Sequence, residues 1–154
     1  MSADLELKNS DGRPALVAVE PELSAGSWPV FASNVSAGFP SPADDYIESR
    51  IDLNEHLIQH KEATFFLRVQ GDSMTGMGIL NDDLLVVDRS LPVETGNIVI
   101  AAIDGEFTVK QLLIRQGTRI LKAAHPAYRD IVIDPEGDLE IWGVVRWAIH
   151  KLWP

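Results

Sequence analysis

From residue 64 onward, hydrophobic and polar positions alternate along most of the chain. In Thr64-Phe65-Phe66-Leu67-Arg68-Val69, the side chains of Phe65, Leu67 and Val69 fall on one face and those of Phe66 and Arg68 on the other, the period of two that marks a β-strand. Further strands are predicted over 84–88, 97–103, 106–114, 119–123, 131–133 and 139–147, separated by Asn81-Asp82, Leu91-Pro92, Asp104-Gly105, Gln116-Gly117 and Glu136-Gly137. Asp104-Gly105 joins two apolar runs as a two-residue loop, the form favoured for a type I′ hairpin, so 101–103 and 106–109 are expected to pair antiparallel. About seven short strands predict a mainly β domain, a small barrel or sandwich with little helix. There is no internal repeat.

The first third reads differently. Asp52-Leu53-Asn54-Glu55 has the Asp-x-x-Glu form of a capping box, and one short helix is expected from there to about His60, with Leu53, Leu57 and Ile58 as a modest apolar stripe. Residues 1–37 mix polar residues with short apolar pieces at 15–19 and 28–35. Of these, the segment from Gly26 through Ser27-Trp28-Pro29-Val30-Phe31 can form one extended strand. Neither piece supplies a core alone, so this part reads as an extended N-terminal arm. In Ala37-Gly38-Phe39-Pro40-Ser41-Pro42, prolines at alternate positions hold the backbone extended and mark a boundary between an arm of residues 1–37 and a domain of residues 38–154. Such a segment is equally a plain linker or a small-residue peptide that a protease cleft accepts.

Length and charge narrow the function classes. A chain of 154 residues has room for one sizeable core. A net charge of −10, with basic residues scattered singly from Lys8 to Lys151, argues against direct DNA binding, which needs clustered Lys and Arg. The absence of Cys removes disulfides, thiol nucleophiles and Cys-based zinc sites. No signal-peptide pattern or membrane-length apolar run is present, so a cytoplasmic location and no membrane association are expected.

Gly71-Asp72-Ser73-Met74 follows the first strand of the β region and displays Ser73 where a strand ends and a turn begins. Thr75 stands where a nucleophile elbow needs Gly, and the Gly-Lys-Ser/Thr of a phosphate-binding loop is missing. A serine nucleophile needs a base, and none of His56, His60, His125 and His150 sits in a triad context. Lys110 lies within the apolar strand over 106–114, on the face shared with Thr108 and Leu112. Two readings stand at this point. Lys110 is an edge-strand lysine that reaches water and guards against edge pairing, with Ser73 an ordinary turn serine. Alternatively, Lys110 is a desolvated amine able to take the serine proton, as in the Ser-Lys variants of the catalytic triad.

Together, Gly38-Phe39-Pro40-Ser41-Pro42, Tyr46, Arg50-Ile51-Asp52-Leu53-Asn54, Gly71-Asp72-Ser73-Met74, Asp104-Gly105-Glu106-Phe107-Thr108-Val109-Lys110 and Gly143-Val144-Val145 resemble the UmuD-like members of the LexA-type self-cleaving serine peptidases. The resemblance covers about residues 37–150 in order, and the 37 positions between Ser73 and Lys110 are similar to that family's spacing. It implies Ser73 as nucleophile, Lys110 as general base, Ala37-Gly38 as the bond cut, and the main-chain N–H groups of Ser73 and Met74 as oxyanion donors. It also implies stimulation by a RecA filament on single-stranded DNA. The trimmed homodimer would then act with a UmuC-like Y-family translesion polymerase in the SOS response. No metal or organic cofactor is implied. Ala37 stands where UmuD-like proteins often have Cys, and the wider family commonly uses Ala-Gly. The arm is longer than in the family, and no basic helix-turn-helix precedes the cleavage site, which disfavours a repressor.

A reading from another class is a non-catalytic dimeric β-domain module that regulates a polymerase or RecA and keeps the two residues without their geometry. Three lesser expectations follow. Met74, Met77 and Ile79 would line a substrate cleft; Trp142, Trp147 and Trp153 would be core or dimer-interface aromatics; and the Asp44-Asp45 and Asp82-Asp83 pairs would be solvated turn acids.

Overall fold

The computed structural model describes residues 17–18, 26–31, 35–39 and 47–153. The segment 40–46, with its prolines Pro40 and Pro42, Tyr46 and the Asp44-Asp45 pair, lies outside the described residues. The chain divides into two compact units, one of residues 20–59 and one of residues 1–19 with 60–154.

The larger unit is mainly β, as the alternation predicts. Its strands are β1 (Val17–Ala18), β4 (Thr64–Arg68), β5 (Leu84–Asp88), β6 (Ile98–Ile103), β7 (Glu106–Arg115), β8 (Thr118–Lys122), β9 (Ile131–Val132) and β10 (Leu139–Ile149). They form one antiparallel sheet in the order β1-β4-β5-β10-β6-β7-β8-β9. The β6–β7 turn has positive φ at both Asp104 (49°) and Gly105 (81°), the signature of the expected type I′ hairpin. Gln116 (48°) and Gly117 (79°) repeat it between β7 and β8.

Two apolar clusters form the interior: Phe65, Val69, Met74, Ile79, Leu85, Val87 and Ile100 in one, and Val99, Ala101, Leu112, Leu121 and Ile133 in the other. Trp142 packs against the first, with its ring edge-on to Phe107 at 5.0 Å and the Arg89 guanidinium 4.7 Å from its centroid. Two buried acids sit at the ends of β5. Asp83 accepts from the Leu80 N–H and lies 2.6 Å from His150 Nδ1, and Asp88 lies 2.6 Å from His60 Nδ1 while accepting from the Ser90 N–H and hydroxyl. The Asp82-Asp83 pair is therefore not simply solvated. Asp83 is 1% exposed, and the ladder continued by Val69 N–H to Asp83 O carries it into the interior. Burial alone would raise the Asp88 carboxyl, but the hydrogen bonds from His60 and Ser90 outweigh it and hold Asp88 below the usual carboxylate range.

Strand β10 pairs with β5 on one side and β6 on the other, with register shifts between Ile141 and Gly143 and between Val145 and Trp147. A Cβ on Gly143 would meet Val87 Cγ1 at 2.8 Å and the Asp88 carbonyl oxygen at 3.0 Å. Gly143→Ala is therefore expected to lower unfolding stability by about 1–3 kcal/mol, the usual cost of overpacking, as a fall in the urea midpoint.

In the smaller unit, β2 (Ser27–Phe31) pairs antiparallel with β3 (Ile47–Asp52), and Arg50 Nε donates to Ser27 Oγ at 2.9 Å. The helix α1 follows as Leu53–Leu57, with Asp52 Oδ1 accepting from the Asn54 and Glu55 N–H groups as the capping motif requires. It ends three residues earlier than expected. Ile58 is extended, and a separate 3₁₀ turn at Lys61–Ala63 leads into β4.

Candidate active site

Ser73 sits in a turn fixed at several points. Gly71, at φ 99°, provides a backbone conformation open to few other residues, and its N–H donates to Asn81 Oδ1 at 2.8 Å. Past Ser73, the Met74 side chain plunges into the first apolar cluster at 1% exposure, and a 3₁₀ turn at Thr75–Met77 follows. Met74 and Ile79 are therefore core residues and not cleft lining, because the turn needs an apolar anchor and both side chains point inward; only Met77, 46% exposed, faces outward. The segment after β8 straps the turn from the other side. The Ala124 N–H donates to the Ser73 carbonyl at 2.8 Å, and the Gly76 N–H donates to the Ala124 carbonyl at 2.7 Å. Neither the Ser73 nor the Met74 N–H has a main-chain acceptor among the described residues.

Lys110 lies on β7, which is hydrogen-bonded to β6 on one side and β8 on the other. The pairing with β8 begins at Gln111, one residue past Lys110, so it is burial and not a flanking strand that removes the reading of a lysine reaching water. Lys110 is 7% exposed, and its Nζ lies 2.8 Å from Ser73 Oγ, 3.0 Å from Thr108 Oγ1 and 3.1 Å from the Val109 carbonyl oxygen. No carboxylate pairs with it among the described residues. Burial without a counter-charge disfavours the ammonium form and holds Lys110 below the usual lysine range.

The histidines stand apart from this pair. His60 and His150 hold the two buried acids, and His125 faces Asp72, with Nε2 3.7 Å from Oδ2. Among the described residues no three His, Asp or Glu side chains gather as a metal site, and no helix is long and apolar enough to cross a membrane. Ala37 and Gly38 lie in the smaller unit, in the connection between β2 and β3. The chain around them is exposed, with Val35 at 96% and Phe39 at 91%, and the Gly38 N–H donates to Ser36 Oγ at 3.3 Å. One feature near Ser73 had no signal in the sequence: the Tyr128 hydroxyl donates to Asp72 Oδ1 at 2.6 Å across 56 positions.

A displayed serine thus lies against a buried lysine that no carboxylate faces, and comparisons with known proteins give the family of the chain. Residues 29–146 match the Peptidase S24-like family model, and the chain belongs to that family. It is 49% identical over 124 residues to Protein ImpA of Salmonella typhimurium, covering 80% of this chain and 83% of that one. To Protein SamA of Salmonella typhimurium it is 47% identical over 136 residues, covering 88% and 94%. With LexA repressor 2 of Pseudomonas syringae pv. tomato it shares 36% identity over 147 residues, covering 96% and 67%. The chain is thus a UmuD-like serine peptidase of the LexA type, as its motifs suggested.

Proposed function

We propose that this chain cuts its own Ala37-Gly38 bond with Ser73 as nucleophile and Lys110 as general base, and that the cut is a switch. The observation that carries the reading is the 2.8 Å separation of Lys110 Nζ from Ser73 Oγ at a buried lysine. Counting donors sharpens it. A neutral amine has two N–H bonds and one lone pair. With the two N–H bonds given to Thr108 Oγ1 and the Val109 carbonyl, the lone pair is left for the Ser73 hydroxyl.

In the reaction, Ser73 Oγ bonds to the Ala37 carbonyl carbon as its proton passes to Lys110 Nζ. The resulting oxyanion is held by the Ser73 and Met74 N–H groups. On collapse, the Ala37–Gly38 C–N bond breaks and the Lys110 proton passes to the Gly38 amine. Water, deprotonated by Lys110, then attacks the acyl carbon; the bond to Ser73 Oγ breaks, the Lys110 proton returns to Oγ, and Ala37 leaves as a free carboxylate. The arm of residues 1–37 is shed and residues 38–154 remain as the product domain. Family membership supports the wider setting: a RecA filament on single-stranded DNA promotes cleavage, and the product acts in the cytoplasm as a homodimer with a UmuC-like Y-family polymerase in SOS mutagenesis.

The reading fixes a pH dependence. Only the neutral amine is a base, so the cleavage rate rises with pH through the titration of Lys110 and levels off above it. Because burial lowers that titration, the midpoint is expected below the roughly 10.4 of a solvated lysine. Fragment appearance, followed on gels from neutral to alkaline pH, checks this. A rate independent of pH, or one falling as pH rises, would count against Lys110 as the base.

A further inference from the structure

The cluster of Asp72, His125 and Tyr128 lies outside the proposed Ser73–Lys110 pair and touches it through the main chain. We propose that Tyr128 is a positioning residue for Ser73: its hydroxyl, 2.6 Å from Asp72 Oδ1, closes a strap between the segment 124–128 and the turn that carries the nucleophile. The inference rests on Ser73 and Lys110 acting as proposed above.

Three bonds make the strap. Two are main-chain bonds, Ala124 N–H to the Ser73 carbonyl and Gly76 N–H to the Ala124 carbonyl, and they hold the far side of the turn. The third is the Tyr128–Asp72 bond, which acts on the residue directly before Ser73. The strap segment is itself braced. The Ala127 N–H donates to His125 Nδ1 at 3.0 Å, the Tyr128 N–H donates to the His125 carbonyl at 3.2 Å, and the His125 and Tyr128 rings meet edge to face at 5.4 Å. A tyrosine 45% exposed contributes little as a core residue, so its short bond to a carboxylate is what places it. That bond stabilises the ionised Asp72 carboxyl and holds it below its ordinary range, with His125 adding to the effect, and it raises the Tyr128 phenol, whose neutral O–H is the donor.

The bond has one consequence for the reaction. It fixes the peptide plane ahead of Ser73, and so the direction from which Oγ meets Lys110 Nζ.

The test is the rate–pH profile of self-cleavage for the full-length wild type, Tyr128→Phe, Asp72→Asn and the double variant, with thermal midpoints alongside and Ser73→Ala as the inactive control. Tyr128→Phe is expected to lower the alkaline plateau by about tenfold or more, the worth of one hydrogen bond to a charged group, with the thermal midpoint little changed. Adding Asp72→Asn to Tyr128→Phe lowers the plateau little further. Losses in the single variants are not additive in the double, since the two residues act as one unit. A Tyr128→Phe protein with the wild-type plateau overturns the proposal. So does a lowered plateau with a matching fall in thermal stability, which is what a purely structural tyrosine would give. A wild type that stays whole, or a Ser73→Ala variant that cuts equally well, overturns the Ser73–Lys110 reading itself, and this inference with it.

Discussion

Lys110→Arg is expected to leave the chain uncut at every pH at which the wild type cuts itself, a loss on the order of 10⁴-fold or more, the scale on which removing a member of a catalytic group acts. Arginine keeps the positive charge and adds donors, so a role for Lys110 in merely attracting or stabilising negative charge would survive the change. Its guanidinium stays protonated throughout the accessible range and has no lone pair for the Ser73 proton. Lys110→Met separates this effect from misfolding. It fills a similar volume at a site 7% exposed and removes the cost of burying an amine that no carboxylate compensates, so the variant is expected to fold. It is equally expected to stay whole. Circular dichroism for the fold and gel densitometry for the fragment, run on both variants, check the pair of outcomes.

Gly76→Ala is expected to slow cleavage by about 100-fold with little change in secondary structure. A Cβ at this position would lie 2.6 Å from the Ala124 carbonyl oxygen, the same atom that accepts the Gly76 N–H. Backbone cannot swing aside as a long side chain can, so the strap must move away from the turn. Misplacing a reacting group by about 1 Å costs roughly that factor even when every catalytic residue is present. Gly117→Ala serves as the contrast. Its φ of 79° is strained for alanine, but nothing lies within 4 Å of the added carbon, and the residue sits in the β7–β8 turn. That variant is expected to lose stability on the order of 1 kcal/mol and to cut at the wild-type rate.

Where a strand's own residues form a short apolar run or a hairpin turn bounds it, its place in the chain was legible in the sequence. The bounds of β5 were read directly from Leu84-Leu85-Val86-Val87-Asp88, and the β6–β7 hairpin from Asp104-Gly105. Strand β3 was not anticipated. Its Ile47-Glu48-Ser49-Arg50-Ile51-Asp52 sequence alternates weakly, with Ile47, Ser49 and Ile51 opposite the charged Glu48, Arg50 and Asp52, but only two of the six are apolar and its partner β2 comes from across a long connection. The β7–β8 turn carries Gln116 at positive φ, where Asn or Asp is the recognisable residue.

The proposed site divides in the same way. Residue type and spacing singled out Ser73 and Lys110, and resemblance assigned their roles. Whether Lys110 reached water or was buried against Ser73 depended on the distant 71–76 turn packing beside β7, which no local pattern reports. Met74 followed the same logic. Its position after the serine suggested a cleft, while its place in the core depends on Leu85, Val87 and Ile100 arriving from other strands. The Tyr128–Asp72 bond spans 56 positions between two turns and has no signature in either.

The most direct measurement is the intact mass and N-terminal residue of every fragment formed when the purified full-length chain stands at alkaline pH, with and without RecA filaments on single-stranded DNA. The expected result is one new N-terminus, at Gly38, in the wild type and not in Ser73→Ala, formed faster with the filaments. A wild type that remains a single species under both conditions, or that is cut only at other bonds, would contradict the assignment of this chain as a peptidase acting on its own Ala37-Gly38 bond.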